Sequence, residues 1–149
     1  MVEGEKLTEK QAGALREELA ELEGPRRTEV VAAIKKAREF GDLSENFEYH
    51  AAKNEQGLLE ARIRTLRARL DSAEIVAHAA GGEVGIGSVV GIVDESGETM
   101  RVEVSAVGGS GTVSPTSPLG AALLGRKTGE TVDVQAPRGA WKATIRGIE

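Results

Sequence analysis

Asp42 and Glu45 stand three residues apart in "FGDLSENFEYHAAK" (40–53), with Gly41 just before them and Phe47 just behind. Four acids fall between positions 39 and 48 (Glu39, Asp42, Glu45, Glu48), and no Lys or Arg interrupts them. Carboxylates crowded in this way repel one another unless something nearby takes up negative charge. A solvated turn is the ordinary explanation of charges at a helix connection. Three details pull against it. The nearest bases in sequence are Arg38 and Lys53. Asp42 and Glu45, three apart across a helix start, can converge on one point. Leu43 and Phe47 put apolar surface where a free tip should avoid it. Two convergent carboxylates are hard oxygen donors, and magnesium typically takes one or two of them and completes its shell with water and phosphate oxygens. The pair is thus a poor metal site in isolation, expected to bind no magnesium tightly in the free protein. It is a useful supplement to a phosphoryl-transfer centre elsewhere, where metal ions serve the attacking and leaving oxygens.

The elements that must carry this pair are helical. Up to about residue 80 the chain is dominated by Ala, Leu, Glu, Arg and Lys, with a single proline. Tyr49, Ala52, Gln56, Leu59, Ile63, Leu66, Leu70 and Ala73 follow one another at spacings of three and four, a coiled-coil seam with one polar member. The preceding run has Leu15, Leu19 and Leu22, then Val30, Ile34 and Ala37. Its register skips at "EGPRRTE" (23–29), where Gly24 and Pro25 predict a kink or local break. Thr8 and Gln11 predict a capping box at the start. Gly41 is expected to end the first arm in a left-handed cap, and Asp42 or Ser44 to cap the second. Two apolar stripes joined by a short link should close as an antiparallel hairpin, with arms of roughly 30 residues or about 45 Å. Its acidic tip should stand in water. Between residues 26 and 38 the shaft carries five bases (Arg26, Arg27, Lys35, Lys36, Arg38) against one acid, Glu29. Such a stripe can follow a phosphate backbone, although surface helices are commonly rich in Lys and Arg.

Beyond "HAAGGEVG" (78–85) the grammar changes to short alternating strands and glycine turns. In "TMRVEVSAV" (99–107), Met100, Val102, Val104 and Ala106 should share one face, opposite Arg101, Glu103 and Ser105. "DESGE" (94–98) is a turn, and "TVDVQA" (131–136) and "AWKATIRGI" (140–148) are strands around "PRG". "TSPLGAALLG" (116–125) predicts a short helix with Ser117 as N-cap, Pro118 at the first position and Gly125 past the end. Trp141 is expected in the sheet core. The fold class is therefore α+β: a coiled-coil hairpin domain over residues 1–78 and a small antiparallel sheet domain with one helix over 79–149.

Bulk properties limit the functions open to the 149-residue chain. With no cysteine there is no disulfide or thiolate metal site, which suits a reducing cytoplasm. The start lacks the apolar run of a signal peptide, and no stretch of about 18 apolar residues predicts a membrane span. A net charge of −5 argues against tight autonomous nucleic-acid binding, and 3% aromatics against base-stacking platforms.

"GDLSENFEYHAAKNEQGLLEARI" (41–63) closely resembles the signature of the bacterial Gre factors, the GreA-type transcript cleavage factors. "LREELAELEGPRRTEVVAAIKKAREF" (15–40) is similar to the first arm of their hairpin. "SPLGAALLG" (117–125) with "GETVDVQAPRGAWKATI" (129–145) resembles their FKBP-like C-terminal domain. The resemblance implies an accessory factor, not itself an enzyme, that docks on bacterial RNA polymerase and passes its hairpin down the secondary channel; the chain is expected to be a monomer. There the residues matching the family's two tip acids, Asp42 and Glu45, would help hold a second magnesium. The polymerase's own hydrolysis of backtracked RNA at the nascent 3′ end is thereby accelerated. It also implies that the shaft bases guide the extruded RNA and that Ser117 and Pro118 dock on the polymerase. Phe47 departs from the small residue usual there, Pro25 comes a few residues early, and Thr116 stands where Asn or Asp is common. "SAVGGSGTVSPTSP" (105–118) is shorter than the usual connection. His50 is most simply a solvated helix residue, and Tyr49 a seam residue.

Competing functions are a Gre-related channel blocker, a prolyl isomerase and a coiled-coil adaptor. "GDLSEN" keeps the stimulatory form of the motif rather than a blocker's denser acids. Two phenylalanines, one tyrosine and one tryptophan are too few for an aromatic-lined isomerase pocket. An adaptor leaves the convergent acids unexplained.

Overall fold

The computed structural model describes residues 4–78 and 82–149. The boundary expected within 78–85 falls partly on residues 79–81, which lie outside the described residues. The chain divides into two compact units: Gly13–Ser72, and the residues up to Ala12 together with Ala73–Glu149.

The first arm of the hairpin runs through α1 (Glu9–Glu21), a π-helical turn (Leu22–Arg26) and α2 (Arg27–Arg38); the second is α3 (Phe47–Ser72). The expected break at Pro25 is thus a wide turn within a continuing helix. Leu22 and Val30 lie one residue further apart than two seam steps allow, and a π turn absorbs one extra residue. Pro25, which has no N–H to donate, falls inside it. The Thr28 hydroxyl donates to the Gly24 carbonyl at 3.1 Å. The seam closes as the spacing predicts. Val30, Ile34, Ala52, Leu59 and Ile63 are buried together, with Leu19, Leu22 and Tyr49 packed against them. Each buried Val, Leu or Ile contributes about 1.5–3 kcal/mol. Ion pairs between the arms, Arg62–Glu18, Arg67–Glu23, Arg27–Glu60 and Arg26–Glu55, are partly exposed, and such pairs are worth about 0–1 kcal/mol. The apolar seam, not the charges, holds the arms together.

In the second unit, five strands lie in the order β5 (Thr112–Val113), β4 (Thr99–Val104), β3 (Val89–Asp94), β7 (Gly139–Ile148) and β6 (Thr131–Ala136). All neighbours are antiparallel except β4 and β5. Helix α4 (Pro118–Leu123) packs on β6, and Leu123 joins Val90, Ile92, Val104, Val134 and Ile145 in the core. The alternation holds at Val102, Val104, Val132 and Val134, all buried. It fails at Met100, which is 40% exposed, and at Ser105, which is buried just past the strand end. Trp141 sits half-buried at the rim of the core instead of inside it.

The N-terminal residues belong to this unit as well. Strand β1 (Lys6–Leu7) pairs in parallel with β2 (Glu74–Ile75). The capping box forms as the sequence predicts. The Thr8 N–H donates to Gln11 Oε1 at 3.1 Å and the Gln11 N–H to Thr8 Oγ1 at 3.2 Å. Both residues are buried, and Gln11 Nε2 donates onward to the Val104 carbonyl at 3.0 Å. The amide that caps the helix thereby also supports the sheet.

Candidate functional site

The turn between the arms is built by two successive left-handed residues. Gly41 has φ +75°, as a helix-ending glycine should. Asp42 follows at φ +30° and is the one non-glycine residue with positive φ among the described residues. Side chains resist this region because Cβ crowds a carbonyl oxygen; Asp and Asn tolerate it best. The Glu45 N–H then returns to the Asp42 carbonyl at 3.2 Å, closing a tight turn that places both acids on one short loop.

Neither Asp42 nor Ser44 caps the second helix. Asn46 does: its Oδ1 accepts from the Tyr49 N–H at 3.0 Å, the third residue of α3, and its carbonyl accepts from the His50 N–H at 3.1 Å. Asp42 and Ser44 come too early to reach those amides, because the left-handed pair delays the start of the helix to Phe47. Ser44 instead donates its hydroxyl to Asp42 Oδ1 at 2.9 Å. Asn46 Nδ2 donates back to the Ala37 carbonyl at 2.7 Å and the Gly41 carbonyl at 3.3 Å. One amide therefore bonds backbone groups at the end of one arm and at the start of the other, the Ala37 carbonyl also accepting from the Phe40 N–H at 3.2 Å. Sequence reasoning assigned Asn46 no role. The available signal was its place three residues before Tyr49, but Asp42 and Ser44 are equally good capping types.

Asp42 and Glu45 are exposed, and neither pairs with a base among the described residues. The two bases nearest in sequence make contacts elsewhere. The Arg38 guanidinium lies 5.9 Å from the Tyr49 ring centroid, and Lys53 Nζ donates to Gln56 Oε1 at 3.0 Å. Around the acids the surface is apolar: Phe47 is 88% exposed, Phe40 65% and Leu43 44%. His50 is exposed, with Nε2 3.2 Å from the Ser44 carbonyl oxygen. Tyr49 is half-buried against the seam. No group of three or more His, Asp or Glu side chains that could hold a metal ion occurs among the described residues. As a donor set, two hard oxygens without a basic partner among the described residues fit about a third of an octahedral magnesium shell, the remainder coming from water or phosphate.

The shaft bases divide into two kinds. Arg26 is paired with Glu29 and Glu55. Arg27 forms a fork with Glu60, both contacts at 2.9 Å. That hydrogen-bonded fork, more than the charges alone, holds the Glu60 carboxyl below its ordinary range and the Arg27 guanidinium above its own. Lys35 and Lys36 are exposed and make no ion pair among the described residues, so they, with Arg38, are the cations open to an external phosphate.

In the sheet unit, Ser117 is the N-cap of α4 and Pro118 its first residue. The Ser117 hydroxyl accepts from the Gly120 N–H at 3.1 Å and donates to the Ser114 carbonyl at 2.6 Å. It is committed within the chain, whereas Pro118 is exposed beside it. Gly120 is required here: a Cβ would lie 1.9 Å from the Ser114 oxygen.

The family model described as transcription elongation factor, N-terminal, matches residues 5–75, and the one described as transcription elongation factor, GreA/GreB, C-terminal, matches residues 79–149. The chain belongs to the GreA/GreB family of transcription elongation factors. It is 46% identical over 142 residues to transcription elongation factor GreA of Streptococcus sanguinis, covering 91% of this chain and 89% of that one. It is 44% identical to GreA of Caldanaerobacter subterraneus, covering 90% of each. A solved structure titled as the transcription factor Gfh1 matches across 100% of this chain and 99% of its own, with a TM-score of 0.51 and 29% identity. Identity to the GreA relatives is the higher of the two.

Proposed function

We propose that this elongation factor inserts its hairpin into the secondary channel of bacterial RNA polymerase and stimulates the polymerase's own cleavage of backtracked RNA. The observation that carries this reading is the pair of exposed carboxylates, Asp42 and Glu45, on one short turn without a basic partner among the described residues. Asp42 and Glu45 would be the residues that help hold a magnesium shared with the polymerase. Bound there, magnesium would supply Lewis acidity and neutralise charge on the phosphate undergoing attack. The chain's own part is to present two oxygens on a stiff support and to bring apolar surface that excludes water. Lys35, Lys36 and Arg38 offer positive charge behind the tip for the extruded nascent RNA 3′ end. Pro118 and the start of α4 offer the docking contact. The factor acts as a monomer in the cytoplasm and has little chemistry without its partner, because two carboxylates alone leave most of a magnesium shell unfilled.

The test uses a stalled, backtracked polymerase complex with magnesium and follows RNA length. Shortening from the 3′ end is expected, lost in Asp42→Ala and in Glu45→Ala while both variants still compete with wild type for the polymerase. Inhibited elongation without shortening would make the chain a channel blocker. Neither binding nor cleavage would leave an adaptor and refute the proposal.

A further inference from the structure

We propose that Asn46 is the positioning residue of the tip: its side-chain amide holds the backbone on both sides of the acidic pair, so that Asp42 and Glu45 meet a divalent cation already oriented. This rests on the cleavage function proposed above. Asn46 uses its whole amide. Oδ1 accepts from the Tyr49 N–H, and Nδ2 donates to the carbonyls of Ala37 and Gly41. A flipped amide would set oxygen against two carbonyls and nitrogen against an N–H, so the orientation is fixed by its partners. The Gly41 carbonyl belongs to the peptide plane that carries the Asp42 N–H. Holding that plane restrains φ of Asp42, the torsion that is otherwise disfavoured at +30°. On the other side, Glu45 is bonded directly to Asn46, whose backbone is anchored by the start of α3. The two acids therefore hang from one fixed point. Preorganised ligands lose less freedom on binding, which is the advantage the clamp confers. Asn46 touches neither cation nor RNA in this scheme and acts through the pair.

Asn46→Ser and Asn46→Asp separate clamp from cap. Ser, Asp and Asn are comparable N-caps, so α3 still starts at Phe47 in both. Neither variant can donate two N–H bonds to Ala37 and Gly41. In the free protein, 15N relaxation should show added motion at the Asp42 and Glu45 amides and none beyond Tyr49. In cleavage assays, the magnesium concentration for half-maximal stimulation should rise by about three- to tenfold, the worth of one hydrogen bond. Competition for polymerase should stay within about twofold, the level expected of a substitution that leaves the fold and docking surfaces unchanged. Unchanged tip relaxation would overturn the clamp, and so would an unchanged magnesium dependence. If wild-type protein shortens no RNA, the cleavage reading falls with the orienting role, and the relaxation measurement still decides whether the clamp exists.

Discussion

Substituting Asp42 by glycine and by alanine should reverse the usual stability order of those two residues. Asp42 sits at φ +30°, where an L side chain costs about 1–2 kcal/mol. Both substitutions remove the carboxylate and the 2.9 Å hydrogen bond from Ser44, so those losses cancel in the comparison. What remains is relief of about 1–2 kcal/mol of strain by glycine against its larger loss of chain entropy, about 0.5–1 kcal/mol. Glycine should therefore be the more stable by about 0.8 kcal/mol, the middle of a span of roughly 0–1.5. In a helix interior alanine leads glycine by about 1 kcal/mol, so the sign alone discriminates. Urea denaturation followed by helical circular dichroism measures the difference, provided the two m-values agree. An alanine variant as stable as the glycine one, or more so, would place Asp42 in the ordinary right-handed region and refute the strain. Asp42→Asn tolerates the left-handed region; it should match wild type in stability and still fail to stimulate cleavage.

Gly120→Ala should cost about 1–3 kcal/mol or more, because the added Cβ meets the Ser114 oxygen at 1.9 Å; thermal unfolding checks this, and an unchanged Tm would mean that the 114–117 turn yields freely. Stability should also fall in acid. Glu60 has its carboxyl held below its ordinary value of 4.5, chiefly by the Arg27 hydrogen bond. Its contribution is complete above that value and is lost as pH drops through the lower folded-state value. Asp94 follows the same sign, held down chiefly by the Ser96 hydroxyl. Glu60→Gln should flatten the acid limb of a Tm-against-pH curve, and an unaltered limb would assign it to other groups. Lys35→Glu combined with Lys36→Glu should raise the amount of factor needed for cleavage without changing the plateau; an unshifted titration would remove the RNA-guiding role.

The hairpin was legible because its signal is periodic and local. The seam from Tyr49 to Leu70 needs only the helical repeat to be seen, and the capping box at Thr8 and Gln11 spans three residues. Ser117 and Pro118 announced α4 in the same way. The strands were legible where alternation met a buried face, as at Val132 and Val134. They were misjudged at Met100, because whether one end of a strand is covered depends on elements far away in sequence.

Sequence alone determined which residues could do chemistry: two acids three apart, bare of nearby bases, between two helix-forming runs. It also determined that a turn must fall at Gly41. Tertiary structure decided how that turn is made. Three residues, Asp42, Ser44 and Asn46, are good helix caps by type, and the choice among them depends on where the first arm's last carbonyls lie in space. It likewise decided that Arg26 and Arg27 are taken by Glu55 and Glu60 while Lys35 and Lys36 have no ion pair among the described residues. Charge is written in the residue, but whether that charge is available depends on which carboxylate the opposite arm brings within reach.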